Sequence, residues 1–305
     1  MAKTLVECPL NFSDGQHKDV ITAIVQAAHR PGVHILDVTS DIDHNRSVIT
    51  LIGEPEPLQE SVFAIVERAA ELIDLRQHRG THPRIGAVDV VPFVPVQAAS
   101  MAQCVEMARQ TGERIGRELQ IPVFLYEEAA SAPHRRNLAD IRRGEFEGLA
   151  VKMQDPLWQP DFGPASPHPS AGAVVIGART YLVAYNVYLG TRDLRIGKAI
   201  ARAIRGRDGG LANVKALGMF IKERDMVQIS MNLVDPLRTP IYRVVETIRM
   251  EAARYGVPIV ESELIGLLPL ETLLETARYY LQLPNLHADS IIEMRVAELA
   301  VESQG

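Results

Sequence analysis

The stretch RGTHPRIGAVDVVPFVP, residues 79–95, joins a constrained turn to an apolar strand. Gly80 can adopt backbone angles that are closed to other residues, and Pro83 moves His82 out of the helical region into an extended conformation. The histidine is therefore held by its neighbours. This arrangement predicts a titratable side chain on a turn at the mouth of a buried strand.

The second half of the same stretch predicts the strand itself. Residues 85–93 are rich in valine, which favours β-structure, and they carry one acid, Asp89. Pro92 and Pro95 are expected to close the strand, because proline cannot donate a hydrogen bond to a sheet.

Outward toward the N-terminus, apolar spacing predicts a strand at 4–8, a helix at 16–29, strands at 33–38 and 47–52, and a helix at 58–73. With the strand at 85–93, the order is β-α-β-β-α-β. This order predicts a ferredoxin-like unit, in which two helices cover one face of an antiparallel sheet.

Outward toward the C-terminus, the same order returns. A helix at 101–119, a strand at 122–128 and a charged section to residue 152 are interpreted as additions to the first unit. The proline- and glycine-rich segment 158–177 is either an ordered loop or a linker. Patterns beyond it predict strands at 181–189, 214–221, 226–234 and 257–260, and helices at 193–205, 240–255, 270–281 and 290–301.

The sequence thus predicts an α+β fold with two ferredoxin-like lobes side by side, residues 1–178 and 179–305. Each lobe would have an antiparallel-rich sheet covered by helices. Two such lobes leave a groove between their sheets, which we expect to bind a ligand.

Composition narrows the class of protein. The chain has 305 residues, 47% of them hydrophobic, and a net charge of −6. These values exclude a disordered tail and disfavour a general binder of nucleic-acid phosphates. Two cysteines, Cys8 and Cys104, are too few for a disulfide framework and indicate a reducing compartment. No signal peptide or membrane-length apolar run is recognised, so we expect a cytoplasmic protein without a membrane partner.

His82 is the strongest candidate for a catalytic residue. The alternative is a structural histidine that caps the turn by hydrogen bonds, which the same sequence pattern would also fit. His78 lies four residues earlier, a spacing that suits a metal on a helix, but Gly80 and Pro83 oppose a shared helical face. We predict no metal. The motifs of serine hydrolases, nucleotide-binding loops and dinucleotide-binding folds are absent from the sequence.

A second candidate is the loop PDFGPASPHPSAG. Gly163 and Gly172 would let the backbone approach a ligand closely, and His168 can donate to an anionic or heteroaromatic group. A rigid inter-lobe linker is the alternative. Four arginines stand beside turns near strand ends, where guanidinium groups can fork onto carboxylates or remain simple surface charges: Arg46, Arg84, Arg179 and Arg192.

Several segments together closely resemble the formiminotransferase domain family. They are LVECPLNFSDG, NRSVITLIGEP, GTHPRIGAVDVVPFVPV, PDFGP followed by GAVVIGARTYLVAYN, and QISMNLVD through ESELIGLLP. The resemblance spans nearly the whole chain. Enzymes of this family transfer a formimidoyl group from N-formimidoyl-L-glutamate to N5 of tetrahydrofolate in histidine degradation, a part of one-carbon metabolism.

The resemblance implies a role for particular residues. The family's catalytic histidine falls on His82, and tetrahydrofolate is implied as co-substrate, with a homodimer as the assembly. The folate-binding segment falls on Gly163, Pro164, Ala165, Ser166, Pro167, His168, Pro169, Ser170, Ala171 and Gly172.

An imidazole suits this chemistry, because one group of near-neutral pKa can take a proton and return it. Asp89, Asp41 or Asp43 could orient the ring or stabilise the amidinium charge, and arginines such as Arg46 and Arg84 could hold the glutamate carboxylates.

Two departures from the family are visible. Thr39 stands where many relatives have an aspartate, and the chain ends without the cyclodeaminase domain fused in some of them, so we expect a separate protein for the next step. Two alternatives remain open: a related activity on 5-formyltetrahydrofolate, and a folate- or amino-acid-binding protein without turnover.

Overall fold

Residues 3–42, 44–80 and 82–302 are described in the structure, which is a computed structural model. The chain divides into two units, residues 1–180 and 181–305. Each unit has its own β-sheet and its own apolar core. The predicted α+β class, with helices packed on sheets, is confirmed.

The described residues of the first unit form six strands: β1 (Leu5–Phe12), β2 (Val33–Asp41), β3 (Arg46–Gly53), β4 (Val88–Gln97), β5 (Val123–Glu127) and β6 (Val174–Ala178). Its α-helices are α1 (Lys18–Ala27), α2 (Pro55–Leu72), α3 (Met101–Arg114), α4 (Leu138–Arg142) and α5 (Glu145–Lys152). A π-helical turn, Ile115–Leu119, follows α3 directly.

The six strands form one mixed sheet in the order β2-β3-β1-β4-β6-β5. The pairs β2–β3, β3–β1 and β1–β4 are antiparallel, whereas β6 runs parallel to both β4 and β5. Strand β1 alternates strictly, and its four inward residues, Val6, Cys8, Leu10 and Phe12, have no exposed area. This period of two is what a strand with one face in the core requires.

The β4–β6–β5 end of the sheet is buried on both faces. Val90 and Phe124 pack with Ile141 of α4 and Leu149 of α5, in a cluster separate from the main core. Strand β4 is therefore buried over its first seven residues and shows no alternation, as is typical of strands covered on two sides.

The prediction that Pro92 and Pro95 close the β4 strand is wrong, because both lie inside it. Glu7 pairs with Val94 and Asn11 with Val90, so counting places Pro9 of β1 opposite Pro92. Neither proline has an N–H, and the hydrogen bonds they would exchange are both missing from one rung of the ladder. A central strand tolerates Pro92 here because the residue opposite is also a proline, so neither of the two residues has an N–H that is left without an acceptor.

Strand β6 was not predicted, since its residues were assigned to the loop 158–177. The error has a physical source: β6 is a short apolar run directly after a proline-rich segment, and such a run carries no periodicity. The loop leads into the sheet of the first unit, so the alternative of an inter-lobe linker is wrong.

The second unit has strands β7 (Val183–Leu189), β8 (Val214–Ile221), β9 (Met226–Leu233) and β10 (Ile259–Ile265). Its helices are α6 (Leu194–Ile204), α7 (Ile241–Ala253), α8 (Leu270–Leu281) and α9 (Ile292–Glu302). The strands form an antiparallel sheet in the order β10-β7-β9-β8. Strand β10 extends beyond the predicted 257–260, because Glu261 and Glu263 interrupt the apolar pattern without ending the pairing with β7.

The segment before β4 is tied to the end of the proline-rich loop. Two backbone hydrogen bonds of 2.9 Å join residues 85–87 to residues 171–173. Gly86 and Gly172 form an isolated antiparallel bridge between them. A Cβ on Gly172 would lie 2.0 Å from the Ile85 carbonyl oxygen, and its φ of +69° lies in the left-handed region. Only glycine fits there.

Ser13 fixes the same segment from the side of β1. Its N–H donates to the Ala87 carbonyl and its hydroxyl donates to the Gly86 carbonyl, both at 2.7 Å. The backbone that leads from His82 into β4 is therefore hydrogen-bonded on two sides.

Both cysteines of the chain lie in the first unit and are fully buried. Burial raises the pKa of the Cys8 thiol well above its ordinary value and that of Cys104 to about 11. No helix in the described part of the chain combines the length and apolar character needed to cross a membrane.

We expect Gly172→Ala to lower the free energy of unfolding of the first unit by more than about 2 kcal/mol, because it combines a left-handed backbone with a clash against Ile85. Urea-induced unfolding measures this change. Gly148→Ala is the matched control: nothing lies within 4 Å of its added Cβ, and it stands inside α5, where alanine is favoured over glycine. Equal stabilities for the two variants would contradict the expectation.

Candidate active site

His82 contacts an arginine in this structure. Nη1 of Arg46, the first residue of β3, lies 2.8 Å from Nε2 of His82. A guanidinium only donates hydrogen bonds, so Nε2 must accept and carries no proton. The neutral ring therefore has its proton on Nδ1.

The surroundings of His82 keep it neutral. Burial, and then the positive charges of Arg46, Arg142 and His44, lower its pKa from 6.5 to about 2, while a hydrogen bond with the Pro83 backbone opposes them. The His44 ring stands edge-on to that of His82, with 6.2 Å between centroids. Burial and the charge of Arg142 also lower the pKa of Arg46, which shows how closely the cations are packed.

Asp89 is 2% exposed and is bound to groups other than the imidazole. One carboxylate oxygen accepts the Ile85 N–H at 2.8 Å. The other forms an ion pair with Arg142 at the end of α4. Asp89 thus fixes the start of β4 and neutralises one of the two arginines near His82, and its direct role in orienting the ring stays a prediction.

A second neutral histidine, His78, lines the same crevice as His82. Nε of Arg84 donates to His78 Nδ1 at 3.1 Å, so the proton of His78 is on Nε2, which donates to the Asn45 carbonyl at 2.9 Å. Arg84 also forks onto Glu145 and Glu147 of α5. The guanidinium of Arg84 is thus held by two carboxylates and an imidazole.

Asn45 holds the turn between β2 and β3 and was missed in the sequence. Its φ is +47°, a conformation that asparagine tolerates better than most residues. The side chain accepts the Gly15 N–H at 2.9 Å and donates to the Arg79 carbonyl at 2.8 Å. It therefore connects the end of β1 with the turn that carries His82.

Arg142 and His44 were also missed. Both lie in polar segments without apolar periodicity, where sequence gives no sign of which side chains approach the site. Asp43 and Thr81 lie outside the described residues.

The site residues surround a narrow crevice. It is too tight in this structure to admit a water molecule and is lined by Ser13, His44, Asn45, Arg46, His78, His82, Arg84 and Asp89. A wider open pocket of about 620 Å³ also touches His78 and Arg84, together with Arg79, Glu145 and Phe146, but His82 is not part of its lining. We place the candidate chemistry at the crevice because His82 and Arg46 both line it.

The predicted folate-binding segment, residues 163–172, meets the site through its C-terminal end, which is paired with residues 85–87. His168 Nδ1 accepts the Ala171 N–H at 3.0 Å and thereby closes the turn of this loop. Burial lowers the pKa of His168. Gly163, with a φ of +83°, lies against the Ile121 carbonyl, so in this structure both loop glycines approach protein backbone.

The structure shows the partners of the other residues that the sequence singled out. Asp41, at the end of β2, has a carboxylate oxygen 2.7 Å from Nδ1 of His44 and so touches the edge of the site. Thr39 donates to Asp37 on the exposed part of β2. Arg179 donates to the Thr180 carbonyl, and Arg192 pairs with Asp225 in the second unit.

Across residues 3–42, 44–80 and 82–302, no group of three histidine, cysteine, aspartate or glutamate side chains is arranged to hold a metal ion. The arrangement offers a neutral imidazole, whose Nε2 lone pair is occupied by Arg46, beside a guanidinium that can bind an anion.

The chain is similar to known proteins over almost its full length. Residues 5–179 match the formiminotransferase domain, N-terminal subdomain, and residues 184–305 match the formiminotransferase domain. It is 50% identical over 300 residues to a protein of Thermoplasma acidophilum named glutamate formimidoyltransferase. The aligned region covers 97% of this chain and 99% of that protein.

Two further relatives show the same likeness. A Streptococcus pyogenes protein named glutamate formimidoyltransferase is 48% identical, over 92% of this chain and 94% of its own. A Rattus norvegicus protein named formimidoyltransferase-cyclodeaminase is 44% identical, over 90% of this chain and 52% of its own.

We expect the stability of the first unit to depend on the protonation of His82. In the folded protein the pKa of His82 is about 2, below the ordinary value of 6.5. Between these two values the imidazole is protonated in the unfolded chain and neutral in the folded chain. The linked stability is present above pH 6.5 and is lost as pH falls toward 2. Between pH 7.5 and 5.0, wild type should lose about 2 kcal/mol more than His82→Gln.

Urea-induced unfolding at the two pH values measures this difference. His29→Gln, which removes an exposed histidine at the end of α1, is the control and should follow wild type. Parallel pH dependence of wild type and His82→Gln would contradict the expectation.

Proposed function

Because the chain belongs to the formiminotransferase family, we propose that it is a glutamate formimidoyltransferase, a transferase of one-carbon groups. It moves the formimidoyl group of N-formimidoyl-L-glutamate to N5 of tetrahydrofolate, a step of histidine degradation and one-carbon metabolism. The observation that carries this proposal is the identity of 50% over nearly the whole of both chains with a protein of that name.

The proposed reaction needs one proton to change place. N5 of tetrahydrofolate attacks the amidine carbon and forms an N5–C bond; the bond between that carbon and the glutamate nitrogen then breaks. The proton lost by N5 ends on the glutamate nitrogen. We assign its transfer to His82, because Nε2 of the neutral imidazole has the lone pair that a general base needs once its hydrogen bond with Arg46 is released.

Besides proton transfer, the proposed reaction requires a binding site for the carboxylates of N-formimidoyl-L-glutamate, and the cations around His82 can provide it. Arg84 and Arg142 are each bound to carboxylates of the protein. The hydrogen bond of Arg46 goes to a neutral partner, His82, so its guanidinium can exchange that partner for an anion at smaller cost. Arg46 is therefore the proposed contact for a substrate carboxylate.

Tetrahydrofolate is the proposed co-substrate, and residues 163–172 are the proposed segment that contacts it. The backbone pairing of 171–173 with 85–87 supports this assignment, since it brings one end of the segment onto the strand that follows His82. No metal takes part in the proposed reaction.

We also propose that both units are variants of the ferredoxin-like fold. Strands β1–β4 and β7–β10 support this, because they have the same chain order, the same neighbours and antiparallel pairing throughout. The groove between two such lobes, the homodimer and the cytoplasmic location remain predictions from the sequence and the family resemblance.

We expect purified protein to form 5-formimidoyltetrahydrofolate and glutamate from the two substrates. His82→Ala should lower kcat/KM by about 10²- to 10⁴-fold, the range for loss of a general acid/base. His29→Ala, which removes an exposed histidine, is the matched control and should keep the wild-type rate. Full activity of His82→Ala would contradict the proposed role of His82 as general base, but it would not contradict the proposed reaction.

The same assay distinguishes the other functions. Turnover of 5-formyltetrahydrofolate without formimidoyl transfer would indicate the related folate activity. Binding of tetrahydrofolate without any turnover would indicate a binding protein and would overturn the proposed enzyme.

A further inference from the structure

The contact between Arg46 and His82 blocks the nitrogen that a general base would use. Arg46 Nη1 donates to His82 Nε2 at 2.8 Å and occupies its lone pair. The other ring nitrogen carries the proton, and the ring is hydrogen-bonded to the Pro83 backbone. In this arrangement neither nitrogen can take a proton from a substrate.

The charges around the ring reinforce this block. Arg46 approaches it from β3, Arg142 from α4 and His44 from the β2–β3 connection, and each charge opposes protonation. The nearby carboxylates are already bound: Asp89 to Arg142 and Asp41 to His44. The site therefore has a cation beside the imidazole that a ligand can neutralise.

A substrate carboxylate meets this requirement. Hydrogen bonds between guanidinium and carboxylate are charge-assisted and often bidentate, and they are stronger than a bond between guanidinium and a neutral imidazole. A carboxylate that binds Arg46 therefore displaces His82 as its partner. The anion also offsets the positive charge that opposes a proton on the ring.

We propose that Arg46 is a positioning residue that couples substrate binding to proton transfer: a carboxylate of the formimidoyl donor draws its guanidinium away from His82 and so releases Nε2 to act as base. The coupling rests on the proposed function for the identity of the donor. It makes His82 a poor base in the ligand-free protein and a competent one when the anionic donor is bound.

The protonation of His82 can be followed directly by NMR of protein with ¹⁵N-labelled histidine, assigned with His82→Gln. N-acetyl-L-glutamate serves as a non-reacting dicarboxylate, and its uncharged diamide serves as the matched ligand control. In the free protein we expect the Nδ1–H tautomer and no titration of His82 between pH 5 and 8. Saturating N-acetyl-L-glutamate should bring the midpoint into that range, and the diamide should leave it unchanged.

Substitution of Arg46 should act in the same direction as the anion. Burial of the ring and the charge of Arg142 remain in Arg46→Gln, so we expect the His82 midpoint to rise above its wild-type value without ligand, and N-acetyl-L-glutamate to shift that midpoint by less than half a pH unit. Arg68→Gln removes the same charge from the exposed surface of α2, where Arg68 pairs with Glu71, and should behave as wild type. The KM for the donor should rise at least tenfold in Arg46→Gln only.

Two results would overturn the coupling: a normal titration of His82 in the free wild type, or a titration that ignores the dicarboxylate. Both are measured on wild-type protein, so they stand even if Arg46→Gln does not fold. They also require no turnover. A protein that shows the expected NMR response but transfers no formimidoyl group would refute the proposed function and leave the coupling intact.

Discussion

The site depends on the double hydrogen bonding of residues 85–87 before β4 begins. Ser13 holds this segment from one side and the end of the proline-rich loop holds it from the other. Gly172 lies so close to the Ile85 carbonyl that no side chain fits between the two segments. The turn that carries His82 is therefore followed by a segment that is hydrogen-bonded on two sides, and these bonds connect it to the proline-rich loop.

Two arginine–histidine pairs in the site show how partners decide whether a contact is permanent. Arg46 donates to His82 and Arg84 donates to His78, so both rings are neutral. Arg84 is also bound by two glutamates, and its histidine is held on the other side by a backbone carbonyl. That pair is structural, since any movement would leave charges unpaired in a buried place. His82 is likewise hydrogen-bonded to the Pro83 backbone, but among the described residues no carboxylate forms a hydrogen bond or ion pair with Arg46.

The sequence was informative where local rules decide the structure. The β-α-β-β-α-β order of each unit followed from apolar periods, and His82 was found because glycine and proline restrict the backbone on either side of it. Strand β6 was missed because a short buried parallel strand has no period. The interior position of Pro92 could not be predicted, since it depends on which residue of another strand lies opposite.

Long-range contacts account for what was missed in the site. Arg142 reaches Asp89 across 53 positions of sequence, from a charged section in which every arginine looks equally exposed. Asn45 was hidden in a polar connection, although its side chain links two distant turns. Residue types predicted the chemistry, while the partners of each charge became visible only in three dimensions.

The placement of the two buried cysteines has a practical consequence. Both thiols belong to the first unit and none to the second, so a thiol reagent meets its target only when the first unit opens. The high pKa of each thiol further slows reaction in the folded state, because the thiolate is the reactive form. The rate at which a thiol reagent modifies the native cysteines therefore reports how often the first unit, which carries His82, opens. No engineered probe is needed.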